Sequence, residues 1–267
     1  MLTDNLPHRF SSSPVVSVIL PALQAEQTLP RAVQSVQSQS FADWELLIIN
    51  DGSSDDTASI AKDFSKGDPR IRVLGNQTRQ GAARARNLGI AAAQGRYIAF
   101  LDADDHWLPK KLEKQVALLQ ETSTAFSYTG FWREARNVRR EITVPKSLSY
   151  SELLHGNQIG CQTAMYDTKQ LGKLFMDDIR MRHDYALWLR ILKTVPIAYG
   201  LQEPLAVHCR QKESLSSNPF KAMRATLQVY RLVAGASYPL SLWYLANHLA
   251  NRGLARFGKV HRDHLDV

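Results

Sequence analysis

"IAFLDADDHWLP" runs from Ile98 to Pro109. A continuous apolar stretch, Ile98–Leu101, leads directly into Asp102, Asp104 and Asp105. Such a run, bounded by polar residues, reads as a buried strand. Three carboxylates within four positions repel one another, and desolvation adds to the cost. Packing does not reward this arrangement, so a positive counterpart is required. A hard divalent cation, Mg2+ or Mn2+, relieves both penalties, because these ions take oxygen ligands, keep waters and bind substrate phosphates. Helix capping is the competing account: an Asp ahead of "HWLPKKLEKQ" suits a helix start. One cap uses one carboxylate, so cap and ligand roles for the three both stay open at this point.

Outward from this stretch, the preceding sequence repeats one pattern. "VVSVILP" (Val15–Pro21), "WELLIIN" (Trp44–Asn50), "RIRVLG" (Arg70–Gly75) and "RYIAFLD" (Arg96–Asp102) read as buried strands. Between them lie helical stretches: "TLPRAVQSVQSQS" with Thr28 as candidate cap, "TASIAKDFSK", and the alanine-rich "AARARNLGIAAAQ". Apolar strands alternating with helices in the order β-α-β-α-β-α-β predict an α/β fold, a mostly parallel sheet flanked by helices on both faces. Ligands of such sheets bind beyond the carboxyl ends of the strands. Those ends here are Pro21, Asp51 and Asp102–Asp105.

The second half is less regular. "LPKKLEKQVALLQE" and "MRHDYALWLRILKT" predict helices, while "TAFSYTGFW", "IGCQTAMYD" and "IAYGLQEPLAVHCR" predict strands. After Asn218 the chain turns helical and basic. No repeat or low-complexity tract is present. The expected organisation is a polar leader over 1–13, a catalytic domain over 14–218 with a nucleotide-binding half (14–110) and an acceptor half (111–218), and a basic helical extension over 219–267.

With 267 residues, 44% of them hydrophobic, the chain has material for a large core, and composition excludes disorder. The net charge of +8 favours anionic partners without choosing among them. Cys161 and Cys209 have neither metal-site nor disulfide spacing, which fits a reducing cytoplasm. The first residues lack the apolar core of a signal peptide, so no export is expected. The least polar stretch, Leu232–Asn251, has no Asp, Glu, Lys or Arg, yet its Gly, Pro, Ser, Asn and His make it a poor membrane span.

Other candidate site residues stand near the strand and helix ends. Asp51, in "NDGSSDDT", reads as an ordinary turn residue or as an acceptor for a base or ribose; Gly52 permits the turn, and Asp55 or Asp56 suits a helix cap. Arg84 and Arg86 point to different sides of one helix, so one can meet phosphate while the other is solvated. Asp184 opens "HDYALWLRIL" as an N-cap or as a general base at a helix N-terminus.

Taken together, "VSVILPA", "WELLIINDGSSDDT", "GAARARNLGIAAAQGRYIAFLDADDHWLPKKLEKQV" and "HDYALWLRIL" resemble the family 2 glycosyltransferases with the GT-A fold, in order and spacing, over about Val15–Lys193. Further stretches to about Arg231 are similar to the branch of bacterial teichuronic-acid and O-antigen enzymes. The resemblance implies a nucleotide-diphospho-sugar transferase fold and an inverting, metal-dependent transfer from a nucleotide sugar, with UDP the expected nucleotide, to a glycan or lipid-diphosphate-linked acceptor. It implies that Asp51 reads the base, that Pro21 and Leu23 line the base pocket, and that Asp102 serves the ribose side. Asp104 would hold Mn2+ or Mg2+ with Asp105 assisting, Arg86 would approach the phosphates, and Asp184 would be the catalytic base. It also implies a cytoplasmic enzyme working at the membrane face, with the basic tail either at the lipid interface or packed on the protein. A homo-oligomer is left open.

Three departures from the family pattern stand out. Asn50 replaces the first of two Asp before Gly52. Leu23, in "PALQ", replaces an aromatic that would stack on the base. "CRQK" replaces a Tyr-Arg-x-His pattern, placing Lys212 where a His is usual; a Lys meets diphosphate as a point charge. Rival readings fit less well. A sugar-phosphate nucleotidyltransferase needs a Gly-rich loop that "PALQAEQT" lacks, and a Rossmann dehydrogenase needs G-x-G-x-x-G. A nucleic-acid module lacks stacking or zinc signatures. A non-enzymatic nucleotide-sugar binder would have no use for the DxD and Asp184 together.

Overall fold

A computed structural model describes residues 13–76, 78–135, 138–209, 219–254 and 260–261. The first half alternates as expected: β1 (Val16–Ala22), α1 (Leu29–Gln37), β2 (Trp44–Asp51), α2 (Thr57–Gly67), β3 (Ile71–Asn76), α3 (Ala82–Ala92) and β4 (Tyr97–Phe100). The second half adds β5 (His106–Trp107), α4 (Lys111–Thr122), β6 (Phe126–Ala135), β7 (Val138–Ile142), β8 (Ser147–Leu148), α5 (Tyr150–Leu154) and a 3₁₀ turn at Cys161–Thr163. It continues with β9 (Met165–Asp167), α6 (Thr168–Leu171), α7 (His183–Thr194), β10 (Ala198–Cys209), α8 (Pro219–Leu232), α9 (Tyr238–Leu254) and β11 (Val260–His261).

The strands form one sheet in the order β11-β7-β6-β9-β4-β1-β2-β3, with β10 alongside β6. β1 pairs parallel with both β2 and β4, and β2 pairs parallel with β3. Beyond β4 the sheet is mixed: β9 runs antiparallel to β4 and β6, while β10 runs parallel to β6. The central strands are apolar on both sides because helices cover both faces. Ile19, Ile49, Ile98 and Phe100 point to one face, in the same core as Ile90 of α3 and Trp188 of α7. Their neighbours Val18, Leu20, Ile48, Ala99 and Leu101 point to the other, with Val33 of α1 and Leu112 of α4. This period-2 division explains why uninterrupted apolar runs were the right signal.

Two expected caps do not form. Thr28 precedes α1 but makes no side-chain cap bond. α4 starts at Lys111 with Lys110 at its N-cap position, so none of Asp102, Asp104 or Asp105 caps it. The "HWLP" segment intervenes: His106–Trp107 form β5, paired antiparallel to β10. β10 carries register shifts on either side of Pro204, which cannot donate a ladder hydrogen bond. This irregular strand ends at His208 and Cys209 beside Asp105.

Candidate active site

The ends of β1 and β2 are stitched together. Gln24, at φ 50, accepts Ser54 N–H on its Oε1 at 2.7 Å and donates its own N–H to Ser53 Oγ at 3.2 Å. Ala25 N–H donates to Thr57 Oγ1 at 2.7 Å, and Glu26 N–H to Asp55 at 3.1 Å. Pro21 and Leu23 stand half-buried at this seam. Asp51 is buried, and its carboxylate accepts the N–H groups of Gln80 and Gly81, each at 2.8 Å. Gly52, at φ +75, makes this possible: a Cβ there would stand 2.8 Å from Arg79 N. Asp51 therefore clamps the loop that leads into α3.

α3 carries Arg86 inward and Arg84 outward, as the spacing predicts. Arg84 is exposed and pairs with Asp178 at 2.6 Å. Arg86 is 5% exposed and forms an ion pair with Asp102. Its Nη1 lies 2.7 Å from His183 Nε2. A guanidinium only donates, so His183 Nε2 accepts and its proton sits on Nδ1. Burial and the Arg86 charge both hold His183 below its usual pKa. Burial works against the charge on Arg86, but Asp102, Cys161 and Asp184 more than offset it, and its pKa rises.

Asp184 is the second residue of α7, not its cap. The cap position belongs to Arg182, in the left-handed region at φ 66. The acidic first turn complements the helix dipole. The Asp184 charge adds to that of Asp102 in holding the Arg86 guanidinium protonated.

The three carboxylates after β4 divide their work. Asp102 takes Arg86. Asp105 is buried, with Cys209 N–H donating to Oδ1 at 2.9 Å and His208 Nδ1 3.1 Å from the same oxygen. Burial raises the Asp105 pKa despite these bonds. Burial alone would lower that of His208, but Asp105, Asp102 and Asp104 raise it overall. The expectation that Asp105 caps a helix therefore gives way, since Lys110 holds the N-cap position of α4 and the Asp105 carboxylate is turned to β10 instead. Asp104 is different. Burial, Asp105 and Asp102 push its carboxyl up to about 7. Among the described residues no basic side chain forms an ion pair with it; Arg31 reaches only its backbone carbonyl, at 3.2 Å.

The donor set around Asp104 is hard and anionic. Among the described residues no three or more His, Cys, Asp or Glu converge as a ready-made metal cage. Mg2+ and Mn2+ do not demand one, since they bind through one or two carboxylates, waters and substrate phosphates. The residues present therefore fit such an ion arriving with a phosphorylated ligand.

Asp51, Arg86, Asp102, Asp104 and Asp184 all lie on this carboxyl-end rim. Lys212 lies outside the described residues. His208 and His183 were missed by sequence reasoning. Neither has a ligand-type spacing, and each acquires its role from a residue about a hundred positions away. A faint signal existed for His183 alone, next to Asp184.

Residues 17–177 match the family model described as "Glycosyl transferase family 2". The chain is 41% identical over 241 residues to a Bacillus subtilis (strain 168) protein named as a teichuronic acid biosynthesis glycosyltransferase, TuaG, covering 89% of this chain and 96% of the relative. It is 35% identical over 245 residues to the Escherichia coli "UDP-Glc:alpha-D-GlcNAc-diphosphoundecaprenol beta-1,3-glucosyltransferase WfgD", covering 88% and 92%. The fold is shared with S. aureus TarS 1–349 in complex with UDP-GlcNAc, at a TM-score of 0.70 and 17% identity, covering 91% of this chain and 73% of that one. It is also shared with the mannosyltransferase PcManGT from Pyrobaculum calidifontis in complex with GDP-Man and Mn2+, at a TM-score of 0.65 and 15% identity, over 93% and 77%.

Proposed function

The chain belongs to glycosyltransferase family 2, and from that premise we propose that it moves a sugar from a UDP-sugar to a hydroxyl of a lipid-diphosphate-linked saccharide, as a step in building a cell-surface polysaccharide. One observation carries the reading: the Asp104 carboxyl is forced up to about 7, with no ion-pair partner among the described residues, at the mouth of the sheet. A half-buried carboxylate crowded by two others is stabilised when a divalent cation and a diphosphate arrive together. The printed names support the finer points. WfgD names UDP-Glc and a diphosphoundecaprenol acceptor, TarS holds UDP-GlcNAc, and PcManGT holds GDP-Man with Mn2+.

In this reading Asp104 would hold Mn2+ or Mg2+, which would supply positive charge for the departing diphosphate. Asp51, at the end of β2, reads the base. Pro21 and Leu23 line the base pocket. Asp102 serves the ribose side while still steadied by Arg86. Arg86 has spare donors for phosphate: its Nε has no hydrogen-bond partner among the described residues. Lys212 contacts the diphosphate. Asp184 takes the proton of the attacking acceptor hydroxyl. A single displacement with inversion needs one base carboxylate and no covalent glycosyl-enzyme. The nucleotide half, 14–110, supplies the donor contacts, residues 111–218 supply the acceptor side, and the extension after 218 is helical at α8 and α9 and returns to the sheet at β11. The enzyme works on the cytoplasmic side, where nucleotide sugars are made.

The deciding experiment is slow donor hydrolysis with Mn2+ over a panel of nucleotide sugars, followed by transfer to a lipid-diphosphate saccharide. A UDP-sugar is the expected substrate. Turnover of a GDP-sugar alone would replace the UDP reading, and turnover undiminished by EDTA would remove the metal.

A further inference from the structure

α9 turns Ser241, Leu245 and His248 inward and most of its other large apolar residues outward. Ser241 and His248 are buried, with His248 Nδ1 3.3 Å from Tyr230 Oη. Tyr238, Leu242, Trp243 and Leu249 are between 41% and 57% exposed. At 100° per residue, Tyr238, Leu249, Leu242, Ala246 and Trp243 fall within an arc of about 140°. A helix facing water normally turns its charged and polar side outward. Most of the exposed large hydrophobic side chains of the described residues lie between Phe220 and Leu249.

Charge identifies the occupant. No Asp or Glu occurs between Glu213 and Asp263, whereas seven lysines and arginines do. Lys221, Arg224 and Arg231 are exposed on α8, which packs on α9, and the Arg231 guanidinium lies 5.7 Å from the Tyr238 ring centre. An apolar ridge with Trp and Tyr, flanked by cations and free of acid, matches an anionic lipid surface. A second copy of this chain is a poorer match, because it would bring the same acid-free, basic segment against itself. Among the described residues no helix is long and apolar enough to cross a membrane, so the fit is to lying on the bilayer.

We propose that the outward face of α9, with Tyr238, Leu242, Trp243 and Leu249, docks this protein onto an anionic lipid bilayer at headgroup level. The inner side of α9 reaches the base-bearing helix: Tyr185, next to Asp184, shares a hydrogen bond with Tyr230 at 3.3 Å, and its ring centre is 6.0 Å from that of His248. Docking therefore holds α7 about one helix diameter, ~10 Å, behind the lipid-facing helix. The inference rests on the proposed function only for its purpose, presenting a lipid-linked acceptor to the site.

The test is flotation of the full-length protein with vesicles, without donor or acceptor. Wild type is expected to float with equimolar phosphatidylcholine and phosphatidylglycerol, and less with phosphatidylcholine alone. Leu242→Glu combined with Leu249→Glu should lower binding at least about tenfold, the loss of two apolar contacts. Arg224→Gln and Arg231→Gln should each lower it on the order of 5-fold. Circular dichroism and donor hydrolysis should match wild type, so a misfolded variant is recognised. Quenching of Trp243 by lipids brominated in the upper acyl chain, lost in Trp243→Phe, reads insertion without relying on the glutamate variants. Wild-type protein that does not float, or glutamate variants that float equally well, would overturn the proposal. A dimer dissociated by the glutamate variants, with no vesicle binding, would reassign the face to a subunit interface. Because flotation needs no catalysis, an inert protein that still floats would refute the transferase reading and leave this one standing.

Discussion

At the scale of single residues, the site works by setting like charges against one another. Asp104 pays for the proximity of Asp102 and Asp105, so its proton competes with a cation. Mn2+ affinity should strengthen as pH rises through about 7, by about tenfold per unit below it, because one proton must leave. Electron paramagnetic resonance titration of Mn2+ between pH 5 and 8, a range of roughly the side-chain titrations concerned, reads this directly; Asp104→Asn should flatten the dependence. The same shift has a sign for stability without metal. A carboxyl raised above its unfolded value favours the fold most below about 4, and that contribution is lost as pH climbs through about 7. Melting with EDTA should therefore show a decline over this window that Mn2+ reverses. Asp184→Asn should lower transfer about 10²–10⁴-fold with donor affinity kept. Wild-type transfer by that variant would end its assignment as base. Asp102, Asp104 and Asp184 stood out in sequence because they sit at ends of regular elements. The His208–Asp105 and His183–Arg86 contacts were not, because neither partner is near the other along the chain.

At the scale of elements, α3 matters because it delivers Arg86 to Asp102. Its seat on the sheet is close: a Cβ at Gly89 would stand 2.7 Å from Ile19 Cγ2 and 2.8 Å from Ile49 Cδ1. Gly89→Ala should cost about 1–3 kcal/mol by overpacking, despite the better helix propensity of Ala. Thermal melting would show a midpoint lower by several degrees, and donor binding should weaken as Arg86 shifts. A rise in the midpoint would mean that Ile19 and Ile49 rotate aside at no cost. The strands β1 to β4 could be read from sequence because helices cover both their faces and leave unbroken apolar runs. β5, β7, β8 and β11 escaped because they span two to five residues, too few for a period to register. The antiparallel pairing of β9 with β4 was also hidden, since strand direction depends on the path of the chain between them.

For the whole molecule, the segment after 218 is more than a basic tail. Val229, Tyr230 and Leu245 share one buried core with Tyr185 and Trp188 of α7. Tyr230 Oη donates to Leu154 O at 2.8 Å, tying α8 to α5 as well. Ending the chain before Pro219 should uncover Tyr185, next to Asp184, and Leu153. The truncated protein should melt earlier and bind a hydrophobic dye, and transfer should fall even to a water-soluble acceptor. Full activity toward that acceptor would show 219–267 to be separable from the catalytic fold. Sequence by itself determined the alternation of the first four strands, the polar strand ends and the family to which they belong. These are local matters: burial on both faces writes unbroken apolar runs, and a ligand at strand ends writes polar residues there. Tertiary structure alone decided that Asp105 anchors β10 while Asp104 has no ion-pair partner among the described residues, that Arg86 pairs with Asp102, and that α9 turns Leu242, Trp243 and Leu249 outward. Each depends on which distant surface a side chain meets, and no spacing along the chain records that.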